Sequence, residues 1–265
     1  MKDTTIFGSL DPDLTKRVLS RRNAVAETGK MAGALAMASM PVAFGIMAKS
    51  AFAQGTALPA EILSVLNFAL TLEYLEDEFY RTGIESGVIP SADLPIFESI
   101  SAHETAHVGL LTGAISSGGG TPLAKPTFDF TAGGLLPDPF SSPNYPIFQA
   151  LSQGFEDTGV RAYKGQAGAL MSNDAILTTA LQIHSVEARH ASAVRRLRGQ
   201  KGWITGNSSG VDVDAFQAIY NGEENTTQGG VNTAQFGTGD SASEAFDEPL
   251  LRSEVETIAG FFIVS

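Results

Sequence analysis

The sequence predicts an all-α fold, a four-helix bundle made of two helical hairpins joined by one long crossover. Three observations predict it. Apolar residues recur at alternating steps of three and four in four segments, the spacing of helices that each bury one stripe. Residues 117–143 are rich in Gly and Pro, too long for a turn between neighbouring helices but long enough to travel the side of a bundle. A register of 83 residues superposes the polar side chains of the first two segments on those of the last two.

Residues 1–53 read as an address rather than as part of the bundle. Ser20-Arg21-Arg22-Asn23 holds a twin-arginine pair, an uncharged run lies between Lys30 and Lys49, and Ala51-Phe52-Ala53 gives an A-x-A cleavage site before Gln54. This is the order of a twin-arginine export signal, so the expected location is the periplasm or the cell surface. The Ala- and Gly-rich run contains Pro41 and is barely long enough to span a bilayer. A retained anchor is therefore the alternative, and the mature chain is expected to have none. The whole chain carries a net charge of −12; losing this segment, with its seven Lys/Arg and four Asp/Glu, leaves −15. Such acidity argues against nucleic acid or an anionic membrane surface as a partner. The chain has no cysteine, which excludes disulfides, zinc ribbons, iron–sulfur clusters and cysteine nucleophiles. Hydrophobic residues make up 43%, enough for a sizeable core.

The bundle is expected over residues 54–200. A first helix runs from Ala57 to Thr82, with Leu63, Leu66, Leu70, Glu73, Asp77 and Tyr80 on one stripe and Gly83 as its end. A second starts near Ser91-Ala92-Asp93, capped by Ser91 or Asp93, and carries Phe97, Ile100, Glu104, His107, Leu111 and Ala114 in line. A third extends from about Tyr145 to Met171. Ser172-Asn173-Asp174 caps the fourth, whose stripe is Ile176, Ala180, Ile183, Glu187, His190, Val194 and Leu197. Residues 201–265 form an extension: a Gly-, Ser-, Asn- and Thr-rich loop segment, then a last helix from Asp247 to about Phe262 that packs on the bundle.

Polar residues on these stripes carry the chemistry. Glu73 precedes Glu104 by 31 residues, and Glu156 precedes Glu187 by 31. Each second glutamate is followed at +3 by a histidine, His107 and His190; each first one is followed at +7 by a tyrosine, Tyr80 and Tyr163. At about 1.5 Å of rise per residue, antiparallel neighbours bring the paired glutamates to one level. Glu at i and His at i+3 share a helix face, so each E-x-x-H offers an oxygen and a nitrogen to one centre. Unpaired carboxylates in an apolar interior cost several kcal/mol each, and four together repel. Two divalent cations balance four carboxylates. Glu73, Glu104, His107, Glu156, Glu187 and His190 are therefore the expected ligands of two metal ions. Mixed carboxylate–imidazole sites suit iron or manganese, and zinc is compatible.

Other residues near the register have weaker claims. His103-Glu104-Thr105-Ala106-His107 also matches the H-E-x-x-H of zinc proteases. That reading lacks a third ligand at Gly113 and leaves the second E-x-x-H unexplained. His103 is then either exposed or a neighbour of the site. His184 lies three before Glu187 on the same face, where it could tune the centre or supplement its ligands. Tyr80 and Tyr163 are either donors to the carboxylates or plain aromatic packing. Glu76 is the alternative ligand on the first helix, while Glu78 belongs on a solvated face; these two map to Gly159 and Arg161, outside the repeat. No catalytic residue is assigned.

With these stretches in view, the chain resembles the exported ferritin-like domain proteins of bacteria, in a branch related to plant desiccation-related proteins. The carrying stretches are LNFALTLEYLEDEFYRTG, SAHETAHVGLL, GFEDTGVRAYKG, HSVEARHASAVR and the tail EAFDEPLLRSEVETIAGFFI. The resemblance implies a ferritin-like bundle with a di-iron or di-manganese centre. It also implies that Glu104 and Glu187 bridge the metals, with Glu73, Glu156, His107 and His190 terminal. The activity it suggests is oxidant-related redox chemistry outside the cytoplasm: peroxide removal, catalase-like turnover or Fe2+ oxidation, with dioxygen, peroxide or Fe2+ as small substrates. The alternative is a non-catalytic structural or desiccation-protective protein. A homo-oligomer is compatible with either.

Overall fold

The computed structural model of the chain describes residues 57–210, 216–237 and 239–264. The expected export segment, 1–53, lies outside the described residues. Helix α1 (Ala60–Ser86) follows Pro59 and carries Glu61 in its first turn, where a carboxylate suits the helix dipole. It ends one turn later than expected. Gly87, at φ 73°, supplies the left-handed cap, and Gly83 lies inside the helix. A Cβ on Gly83 would stand 2.2 Å from Phe148 Cε2, so glycine is there for close approach.

Helix α2 (Leu94–Ser117) begins after Asp93, whose side chain does not cap it. Instead Asp93 Oδ2 accepts from the Tyr145 hydroxyl at 2.7 Å, tying the start of α2 to the start of α3. The crossover runs from Gly118 to Asn144. Asn67 on α1 holds its first part by accepting from Leu123 N at 2.8 Å. Further on, strand β1 (Thr127–Phe128) pairs antiparallel with β4 (Ile263–Val264), so the end of the chain pins the crossover. Phe130 and Phe140 then pack on Phe79 of α1, ring centres 5.2 and 5.5 Å apart.

Helix α3 (Tyr145–Gln166) gives way to a 3-10 turn (Ala167–Leu170), earlier than the expected continuous helix to Met171. Helix α4 (Asp174–Leu197) is capped by Asn173, whose side chain accepts from Ile176 N at 3.1 Å, and carries Arg195 and Arg196 in its last turn. α1 packs antiparallel on α2 and α3 on α4, the two hairpins of the expected all-α bundle.

α3 is the central helix. Every residue from Ala150 to Tyr163 is buried, because the C-terminal extension covers the face that the other three helices leave open. The extension contains α5 (Gln217–Tyr220), the β2–β3 hairpin (Thr227–Gln228 and Val231–Asn232) and α6 (Arg252–Gly260). Arg161 organises it. Its guanidinium donates to Glu248 O at 2.7 Å, to Asn221 O at 2.8 Å and to Ile219 O, and pairs with Glu223 at 2.8 Å. The last helix starts at Arg252, not Asp247. Residues before it run alongside α3, where Leu250 N donates to Arg161 O at 3.2 Å and the Asp247 carbonyl accepts from Lys164. Glu254 then closes the first turn by accepting from Leu251 N at 2.7 Å. No helix among the described residues is long and apolar enough to cross a membrane.

Candidate metal centre

Glu73 on α1, Glu104 and His107 on α2, Glu156 on α3, and Glu187 and His190 on α4 meet at mid-bundle. The four carboxylates have no exposed surface at all, and the two imidazoles are also buried. His107 Nδ1 lies 2.9 Å from Glu104 Oε2, 3.1 Å from Glu73 Oε2 and 3.2 Å from Glu187 Oε1. His190 Nδ1 lies 2.9 Å from Glu104 Oε1 and 3.2 Å from Glu156 Oε2. One ring nitrogen carries at most one proton, so it cannot satisfy three acceptors. Glu104 Oε1 and both oxygens of Glu187 are buried without a hydrogen-bond partner. Their histidine neighbours are at ion-pair distance but lack hydrogen-bond geometry. Buried orphan oxygens of this kind are costly unless something else neutralises them.

A cation would do so. Adjacent donors around an octahedral ion with bonds of about 2.1 Å stand about 3.0 Å apart, close to the separations seen. The side chains divide into two groups whose donor atoms all lie within 4.8 Å of one another: Glu73, Glu104, His107 and Glu187, and Glu104, Glu156, Glu187 and His190. Glu104 and Glu187 belong to both. Four carboxylates and two imidazoles are a donor set that fits two divalent ions of intermediate hardness.

Without a cation the electrostatics are strained. Burial pushes Glu73 up to about 7. Burial and the neighbouring Glu104 and Glu156 push Glu187 well above the carboxylate range. Burial also raises Glu156. Glu104 moves the other way: burial would raise it, but His107 and His190 on either side outweigh that and hold it low. Burial would lower both histidines; the carboxylates facing them hold them well above the ordinary imidazole value instead.

The flanking residues separate into distinct roles. The two tyrosines cross the bundle. Tyr80 on α1 donates to Glu156 Oε1 on α3 at 2.5 Å, and Tyr163 on α3 donates to Glu73 Oε1 on α1. Burial and the adjacent carboxylate hold both phenols far above their ordinary pKa, so both stay donors. Of the two sequence readings, donor to a carboxylate is the one the geometry supports.

His103 is half-buried, stacks on His190 and places Nδ1 2.8 Å from His190 Nε2. Burial and His190 bring it down to about 4, so it is neutral and orients the ring that faces the carboxylates. Neither group able to hold an ion includes His103; the zinc-protease constellation is not formed. His184 faces away, donating from Nδ1 to Val160 O at 2.9 Å. Glu76 is buried beside the cluster but belongs to neither group. It stands over Gly159, where an added Cβ would meet Glu187 Oε2 at 3.1 Å and Glu76 Oε1 at 3.5 Å. Glu78 pairs with Lys125 at 2.5 Å, near the surface.

One supporting network has no trace in the repeat. Asp157, next to Glu156, pairs with Arg195 of α4 and accepts from the Tyr220 hydroxyl at 2.7 Å, which in turn accepts from Gln153 at 3.0 Å. It fixes α3 against α4 and the extension. The 83-residue register maps Asp157 to Tyr74 and Arg195 to Thr112, so duplication could not mark them.

The family described as the ferritin-like domain matches residues 61–200, which take in all four bundle helices and all six clustered side chains. No curated protein matches the chain.

Proposed function

This chain belongs to the ferritin-like domain family, and from that premise we propose that it binds two iron or manganese ions at mid-bundle and performs oxidant chemistry outside the cytoplasm. The observation that carries the proposal is the pair of donor groups sharing Glu104 and Glu187. In this reading Glu73, Glu104, His107 and Glu187 would hold one ion, and Glu104, Glu156, Glu187 and His190 would hold the other. Bound iron or manganese would supply open positions for dioxygen or peroxide and a redox change spread over two centres.

The chain's own contribution is positioning and exclusion of water. Tyr80 and Tyr163 each tie down one oxygen of an outer carboxylate from the opposite hairpin. His103 sets the ring plane of His190. Full burial of the carboxylates keeps bulk water out and strengthens every charge interaction inside. The twin-arginine pair Arg21-Arg22 and the Ala51-Phe52-Ala53 site support export.

The deciding measurement is the metal content of protein purified from its own host without added metal, followed by peroxide and Fe2+ turnover. Two ions per chain with turnover support the proposal. A metal-free protein that stays inert after Fe2+ and Mn2+ loading overturns it. The same burial favours a second reading, in which the ions only staple the bundle in a closed site. Bound metal without turnover would select it.

A further inference from the structure

The register that pairs the two hairpins also pairs their packing layers, and the two ends of the cluster are not alike. At the Tyr80 end, Phe79, Phe97 and Phe148 are fully buried. Phe79 stacks on Phe148 with ring centres 4.7 Å apart, and Phe97 meets Phe148 edge-on at 5.1 Å. Shifted by 83 residues, these three positions are Ala162, Ala180 and Val65. Three rings at one end of the cluster are thus replaced by three small side chains at the other.

A cavity lies among those small residues. It is walled by all four bundle helices, and its lining is apolar except for Tyr163, Gln166 and Thr179. The space open to the centre of a water-sized sphere is about 20 Å³, room for about one water-sized molecule. Water needs two to four polar partners. Tyr163 has its hydroxyl committed to Glu73, and Thr179 donates its own to Ala175 O at 2.9 Å. Apolar cavities of this kind stay dry and take nonpolar gases. The cavity sits one helical turn from the cluster: Ala69, Leu111 and Ile183 line it, four residues from Glu73, His107 and Glu187. Tyr163 on its wall keeps 8% of its surface accessible, whereas its counterpart Tyr80 has none.

We propose that this cavity binds one small nonpolar molecule of about the size of dioxygen, held on the Tyr163 side of the cluster. That such a molecule is a reactant at the cluster rests on the proposed function; that the cavity binds it does not. Crystals of the full chain pressurised with xenon provide the test, with metal content measured on the same protein. One xenon among Val65, Ala162 and Ala180 is expected, together with its loss in Ala180→Phe, which restores the ring present at the other end. Ala162→Phe and Val65→Phe fill the same space from two other walls, so one misfolded variant does not spare the proposal. Ordered water in the cavity, or no xenon in the wild type, overturns it. Xenon bound in a protein that takes up no metal would leave this inference standing and remove the proposed function instead.

Discussion

The hydroxyl of Tyr80 on α1 donates to Glu156 on α3 across the centre of the bundle, at 2.5 Å. The reciprocal bond runs from Tyr163 on α3 to Glu73 on α1. Each hairpin therefore supplies two carboxylates to the centre and one donor that steadies a carboxylate of the other. This reciprocity is the duplication of the sequence turned into a pair of hydrogen bonds.

Tyr80→Phe leaves the aromatic packing in place and removes only the donor. The loss of a hydrogen bond to a charged group should lower stability by about 1.5–3 kcal/mol, read from urea unfolding. Metal affinity should fall by about ten- to a hundredfold, as for other residues that orient ligands, read by competition with a chelator. Unchanged affinity would mean that Tyr80 is there for packing alone.

Metal should stabilise the fold through the shared carboxylates. At a free ion concentration of about 100 times Kd, the gain is about 2.7 kcal/mol per site. Scanning calorimetry of chelator-stripped protein with and without Mn2+ should show the shift. Glu104→Ala combined with Glu187→Ala should abolish it, since both donor groups lose two members.

Stripped protein should lose stability as pH rises. Glu73 is raised by burial to about 7 from 4.5, and His107 and His190 are held well above 6.5 by the carboxylates facing them. The folded state then holds more protons than the unfolded chain from about pH 4.5 upward, so stability from these groups is full below the unfolded values and is lost as pH climbs through the folded ones. Glu104, shifted down, acts only at the acid end. The Tm of stripped protein should fall between about pH 5 and 8, while affinity for the ion rises as metal displaces protons. A flat or rising Tm would contradict the charge balance described.

Arg161→Met should unfasten the extension. Arg161 is 1% exposed and pairs with Glu223, which burial pushes up to about 7 even though Arg161 opposes the shift. Removing one partner of a buried pair costs about 3–5 kcal/mol. Denaturant unfolding would measure the loss, and proteolysis should cut first within residues 201–251.

Gly83→Ala should be destabilising by about 1–3 kcal/mol through overpacking, because the new methyl meets the Phe148 ring. At Gly87, where φ is positive and nothing stands within 4 Å, alanine should instead cost only backbone strain. Comparing the two variants by thermal melting would separate close approach from turn geometry.

Much of the bundle was legible because helix periodicity and the 83-residue register are local arithmetic. The four stripes and the antiparallel levels of Glu73 with Glu104 and Glu156 with Glu187 follow from rise and repeat alone. Helix ends were less legible. Gly83 and Gly87 look alike in sequence, and only the Phe148 ring distinguishes them. Asp247 could start a helix by composition, yet residues 247–251 lie outside the helix, hydrogen-bonded to α3.

By itself, the chain determined which six polar side chains share helix faces, because a period of 3.6 residues leaves no freedom once the helices form. Tertiary structure alone decided what stands around them: the crossing of the tyrosines, His103 against His190, and the burial of Arg161 under the extension. Those relationships join residues 58 to 90 positions apart, and contacts at such separations depend on how the surfaces fit together.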